Sequence, residues 1–323
     1  MKKIISLKKG FGDLEWYLLI AIPLIGTLIF NVVPLFQTIV NSMSNSQSQF
    51  IGFTNYGITF KDYEFKQSVF NTLYMGILGV FLNIPIAFTL ANMLNNIPKG
   101  KNVYKVFFLL PLITSIVTVA ILFKFIFSPD KASIANYVIS LIGMQPLGWF
   151  NDVNMSRETL VMMALWKGIG YNVILFFAGL QTVPTELYEA ATIDGANERQ
   201  KWRYITIPCM RNTFIFVYIT SCIAVLKRFA DVYAVSSEYG NPGGTLFTII
   251  LYIYRKSFST LFYKDLGVAS AASVVLFILI LVITAINYFL TERDDSVTHK
   301  RKNFSRQDNK KLLDGGGNYG KQA

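Results

Sequence analysis

Residues 181–211, QTVPTELYEAATIDGANERQKWRYITIPCMR, are a polar segment set between two long apolar runs, and the fold follows from how this segment is read. The pattern predicts two short helices, not a simple turn. Pro184 suits a first helical turn with Thr182 as its N-cap, and Leu187, Ala190 and Ala191 then share one small, shallow face. Gly195 offers the left-handed or sharply bent backbone that breaks the segment. Trp202 and Ile205 make a second apolar stripe, after which Pro208 permits the start of the next helix. A structured connection of about thirty residues is long for a helical membrane protein, which points to a role of its own. Ala190 and Ala191 let another surface come close, while Glu189 and Asp194 offer carboxylates to a basic partner.

The flanking runs set the class. The chain is 53% hydrophobic and 15% charged, with a mean hydropathy of +0.42, so its natural solvent is lipid. The net charge of +11 does not mark a nucleic-acid binder, because the cations lie between apolar runs instead of gathering on one face among aromatics. Cys209 and Cys222 have neither metal-ligand spacing nor a geometry for pairing along one helix, and read as small packing residues. Lys2, Lys3, Lys8 and Lys9 precede an apolar run at 16–40 that resembles a signal peptide. Its length, its Pro23 and Pro34, and the lack of a small-residue cleavage site make it a retained helix.

Further runs at 70–94, 104–127, 159–180, 213–236 and 266–290 complete six expected spans, each long enough at ~1.5 Å per residue to cross ~30 Å of hydrocarbon. The chain thus divides into a segment 1–15, a membrane domain 16–290 and a polar, basic tail 291–323, expected to be disordered and to lie near anionic lipid heads. His299 falls in that tail, with no ligand role expected of it. Six spans return the chain to its starting side, and most Lys and Arg lie on the side of the termini, including Lys99, Lys101, Lys105, Arg199, Lys201, Arg203 and Arg211. The positive-inside rule places both termini, and the 181–211 segment with them, in the cytoplasm of a multi-pass membrane protein.

Glu189, Ala190, Ala191, Asp194, Gly195 and Ala196, followed by Ile205, Ile207 and Pro208, resemble the EAA loop of ABC importer permeases of the sugar branch. WKGIGYNVILFFAGLQTVPTELYEAA (166–191), PLITSIVTVAILFKFIFSPD (111–130), and FIGFTNY (50–56) with FKQSVFNTL (65–73) extend the resemblance over roughly residues 14–290. Ile134, Val138 and Leu141, in the outer segment after 130, are placed for a short interfacial helix. Trp202 stands where the family usually has Phe, Ile207 where Leu precedes the proline, and SEYGNPGG (237–244) replaces a Gly-Gly-Pro run. The resemblance implies an all-α membrane protein of the type I importer permease (MetI-like) fold, whose EAA segment is a coupling helix docked in a cytoplasmic ATPase. It also implies a second, homologous permease subunit, an ATPase dimer that binds the MgATP, and an extracellular solute-binding protein that delivers an oligosaccharide. No cofactor is implied for this chain.

Charged groups inside spans are costly and face cavities or reach an interface. Lys124 lies near the outer end of its run and is expected to snorkel, whereas Lys167, Lys227, Arg228 and Asp231 lie deeper. Lys227 is about fourteen residues into its run, ~21 Å at helical rise and near the midplane. A sugar pathway mixes aromatic faces with planar polar groups, and Tyr171, Asn172, Lys227, Arg228 and Tyr233 supply that mixture. By resemblance to the maltose permease, Gly168, Tyr171, Leu226 and Arg228 match sugar-holding positions. Most of the 17 tyrosines and 27 phenylalanines serve packing or lipid contact. Lys227 and Arg228 also suit an anionic saccharide or sugar phosphate, unless Asp231 pairs with them.

No G-x-x-x-x-G-K-[ST] loop occurs, so the chain is expected to be a transport subunit and not itself an ATPase. An ion- or proton-coupled carrier is the alternative. It calls for buried acidic relays and internal repeats, but Asp231 is the one deep carboxylate in these runs and no repeat is evident. Nor does any His/Cys/carboxylate constellation support a membrane-bound enzyme.

Overall fold

The computed structural model describes residues 16–287 and 289; the segment 1–15 and the tail 291–323, His299 included, lie outside the described residues. Regular structure is helical apart from one isolated antiparallel bridge between Ser44 and Phe50, among the described residues. Lipid dictates this, since a helix satisfies its own backbone polar groups where no water can. In chain order the helices are α1 (Trp16–Ser42), α2 (Thr54–Lys61), α3 (Tyr63–Asn96), α4 (Lys101–Ile113), α5 (Ile116–Ile126) and α6 (Ile134–Ser140). They continue as α7 (Ser156–Leu180), α8 (Thr185–Ile193), α9 (Arg211–Leu226), α10 (Ala230–Ser236), α11 (Ile249–Phe258) and α12 (Leu266–Asn287).

Two of the six expected spans are not single helices. The run 104–127 divides at Thr114, whose extended backbone (φ −72°, ψ 140°) separates α4 from α5 with a bend of 93°. Counting that pair as one crossing gives six spans; the other five are long and apolar enough to cross. Carbonyls exposed by the break find a cation. Lys167 Nζ donates to the carbonyl oxygens of Pro111, Leu112 and Thr114 at 3.3, 3.0 and 2.6 Å. Lys167 therefore terminates α4, where a positive charge also complements the helix dipole. The fifth run stops being helical at Lys227–Phe229 and resumes in α10. Lys124, expected to snorkel, instead donates to the Val235 carbonyl oxygen near the end of α10, at 2.9 Å.

The described residues form two compact units, one of residues 16–74, 120–160 and 228–277, the other of 75–119, 161–227, 278–287 and 289. In the first unit, buried asparagines tie irregular backbone to helices. Asn71 donates to the carbonyls of Gly244 and Phe247 at 2.7 and 3.0 Å and accepts from Arg157 Nε at 2.9 Å. Asn136 donates to four loop carbonyls at 3.1–3.2 Å and accepts from Trp149 Nε1 at 2.8 Å, which anchors α6. Ile134, Val138 and Leu141 stay exposed around it, as an interfacial helix requires. Arg255 pairs with Glu64 and lies between the Phe247 and Phe262 rings, 4.2 and 4.4 Å from their centroids. Tyr252 donates to Asp62 Oδ2 at 2.8 Å, and burial, then this bond, hold its phenol protonated far above the usual range.

The second unit has an apolar core of α3, α7 and α9 side chains, among them Phe88, Leu94, Phe176, Phe177 and Val217, joined by Met210 at the N-cap of α9. Phe88, Phe176 and Phe214 meet at centroid distances of 4.7–5.5 Å. Gly170 lets α7 approach α4 so closely that a Cβ there would lie 1.7 Å from the Phe108 carbonyl oxygen. Small residues serve this purpose between membrane helices, where dispersion replaces the hydrophobic effect.

Candidate functional site

The segment 181–211 folds as two helical pieces hinged at glycine, with differences at its edges. Pro184 is the N-cap, not a first-turn residue, and α8 begins at Thr185. Thr182 is no cap for α8; its hydroxyl donates back to the Gly179 carbonyl at 2.7 Å, closing the end of α7. Gly195 takes φ +79°, a conformation that costs an L-residue roughly 1–2 kcal/mol. A capping box then starts the second piece: Asn197 Oδ1 accepts from Gln200 N at 2.9 Å and Gln200 Oε1 from Asn197 N at 2.8 Å. The N-x-x-Q spacing carries this signal in the sequence. After Glu198–Lys201 the backbone widens into a π-turn at Trp202–Thr206, then closes as a short turn Ile207–Cys209 holding Pro208. The wider turn precedes a residue that has no N–H to donate.

One side of this segment is anchored. Tyr188 and Thr206 hydroxyls meet at 2.8 Å, the Trp202 ring packs 5.9 Å from Phe88, and Ile205 and Ile207 rest on the apolar core. The other side is bare. Glu189, Ala190, Asp194, Gly195 and Pro208 are exposed, Ala191 and Ala196 are half-buried, and Ile193 is 87% exposed. Cys209 is exposed beside Pro208 instead of packed, and Cys222 is half-buried. The result is a shallow shelf, small in side-chain volume and rigidly backed, with an apolar knob and carboxylates at its end.

The pathway candidates are not alike. Gly168 and Tyr171, three residues apart on α7, are open: nothing lies within 4 Å of a Cβ at Gly168, and Tyr171 is 48% exposed. Asn172 is turned inward and 7% exposed, donating to Asn83 Oδ1 at 2.5 Å and Ser221 Oγ at 3.3 Å, so that it ties together α3, α7 and α9. Leu226 is buried and Lys227, the C-cap of α9, is exposed. Arg228 belongs to the first unit, where its Nε lies 3.2 Å from Asp231 Oδ2. Its carbonyl accepts from Thr248 Oγ1 at 3.2 Å, and its buried Nη1 has no hydrogen-bond partner. Tyr233 stacks in a cluster with Phe229 and Tyr254. Neither Asn83 nor Ser221 stood out in the sequence, since single polar residues in apolar runs do not announce their partners.

No group of three or more His, Cys, Asp or Glu suited to a metal occurs among the described residues. Residues 83–293 match the family described as "Binding-protein-dependent transport system inner membrane component". The arabinooligosaccharides transport system permease protein AraP of Bacillus subtilis (strain 168) is 32% identical over 294 residues, covering 88% of this chain and 92% of that protein. The lactose transport system permease protein LacF of Rhizobium radiobacter is 30% identical over 288 residues, covering 87% and 95%. Among solved structures, a chain of a bacterial ABC transporter involved in the import of the acidic polysaccharide alginate superposes with a TM-score of 0.73 at 24% identity, over 88% of this chain and 98% of that one. That similarity carries the fold.

Proposed function

We propose that this chain, which belongs to the family of binding-protein-dependent transport system inner membrane components, is the permease subunit of an ATP-driven importer for an oligosaccharide. The observation that carries the coupling half is the bare shelf of α8, fixed from behind by Tyr188–Thr206 and open to another protein in front. Glu189, Ala190, Ala191, Asp194, Gly195, Ala196 and Pro208 form or flank it, and a cytoplasmic ATPase is its occupant. An ATPase dimer has two docking clefts and this chain one shelf, so a second, homologous permease subunit completes the complex. An extracellular solute-binding protein delivers the sugar, and MgATP is bound by the ATPase. The saccharide class rests on relatives named for arabinooligosaccharides and lactose.

Closure of the ATPase on ATP draws the two shelves together and turns the cavity outward; hydrolysis reopens it inward. Each ligand prefers one state and shifts the population toward it. Gly168, Tyr171 and Lys227 are the sugar contacts we favour in the second unit, with Asn172 and Leu226 holding the helices behind them. The chain is a transport subunit, not an enzyme, and sits in the bacterial cell membrane with both termini cytoplasmic. Uptake into vesicles by the reconstituted complex should stop on ATP depletion and survive an uncoupler. The reverse would identify an ion-coupled carrier.

An anionic saccharide is the second reading, favoured by the unpartnered Nη1 of Arg228. In an importer of this kind, Arg228→Gln should depress uptake of a uronate-containing oligosaccharide at least tenfold more than that of its neutral counterpart. Equal uptake of the two would remove the idea.

A further inference from the structure

Behind the coupling shelf, wholly within the second unit, lies a cavity of about 970 Å³. Its walls come from the end of α3 (Asn92, Asn95, Asn96), the end of α7 (Gln181), α8 (Thr185, Tyr188) and the second helical piece with its π-turn (Glu198, Lys201, Trp202, Thr206). What distinguishes it is the number of uncommitted carboxamides. The side chains of Asn92, Asn95, Asn96 and Gln181 make no hydrogen bond among the described residues; the Asn95 contact from Lys101 is to its backbone carbonyl. Each amide offers two donors and an acceptor in one plane, a match for neighbouring hydroxyls. Trp202 adds an aromatic surface, 41% exposed although its ring also packs near Phe88. Charge is mixed: Lys201 is committed to Glu198 at 2.8 Å, and Arg199, exposed, also lines the cavity beside that carboxylate.

Four neutral amides, three hydroxyl-bearing side chains, two of them (Tyr188 and Thr206) bonded to each other, and an indole around one cavity form a surface suited to a polyol. We infer that this cavity is a second saccharide site, open to the cytoplasmic side and separate from the transport pathway, which binds the internalised sugar. The inference rests on the importer reading above. An occupant hydrogen-bonded to both Asn95–Asn96 and Thr185 braces the coupling helix against the second span, so accumulated product slows the stroke that α8 must make. The cavity is then a sensor of internal sugar built into the coupling element.

The test uses the complete complex of permease pair and ATPase in nanodiscs, without nucleotide, titrated with tritiated lactose and tritiated arabinotriose. Wild type and the pathway variant Tyr171→Ala should both retain a binding class that Asn95→Leu/Asn96→Leu weakens at least tenfold. Gln181→Ala, an exposed rim residue, should weaken the same class severalfold, and serves if the double variant does not assemble. Neither sugar binding, or equal binding by wild type and the pocket variants, overturns the inference. So does a site that takes sn-glycerol 1-phosphate, a phospholipid headgroup mimic, in preference to both sugars. ATP-driven uptake is measured separately: import without pocket binding counts against this site alone, and pocket binding without import counts against the transport reading alone.

Discussion

Lys167 shows how a single residue's placement can reverse its expected meaning. A cation deep in an apolar run invites a role in the pathway, yet its ammonium is committed to three carbonyls at the end of α4. Lys167→Met leaves those oxygens without their donor at ~1–3 kcal/mol for each one that is buried. The expected result is a complex with a lower unfolding temperature and less assembled material, with Lys167→Arg recovering part of both; unchanged stability in the Met variant would contradict it. Gly195 is the opposite case. Nothing lies within 4 Å of a Cβ there, so Gly195→Leu meets no clash and only the left-handed backbone resists it. The permease should insert normally while the ATPase no longer responds to sugar-loaded binding protein, and a normal response would take the hinge out of the mechanism.

Among the elements, the second piece of the 181–211 segment is the most exposed to test, because Glu198–Lys201 is a single turn held by its capping box. Asn197→Ala removes about 1 kcal/mol, so the amides of 199–201 should exchange roughly fivefold faster by hydrogen exchange while α8 is unaffected. The glycine hinge, the two pieces and five of the spans were legible in the sequence because they depend on local pattern: a left-handed position, helical spacing, uninterrupted apolar length. The 93° break before α5 was not, since a lone Pro, Thr and Ser within an apolar run do not by themselves mark a bend, and what stabilises the break is Lys167, more than fifty residues away. The pathway candidates came from residue types and from the resemblance, not from local pattern. Tyr171 was singled out by its residue type and Gly168 by the resemblance alone, while the inward turn of Asn172 depends on Asn83 and Ser221, which no spacing links to it.

At the scale of the whole molecule, the expected sidedness hangs on counting α4 and α5 as one crossing. With six crossings, a cysteine replacing Asn154 reacts with an impermeant maleimide from outside, and one replacing Asp194 reacts only after the cytoplasmic face is opened. Labelling at 154 from the same side as a cysteine replacing Lys99, between α3 and α4, would mean that the bent pair returns to the face it left, and the termini would then lie on opposite sides. Helix α1 belongs to this scale as well, because its apolar window has no residue buried by the rest of the chain. A saturating substitution scan of 16–41 would thus leave this polypeptide's own packing almost untouched. Any position there that resists exchange would be recording, like a cast taken from a missing object, the shape of the neighbour or bilayer that normally lies alongside.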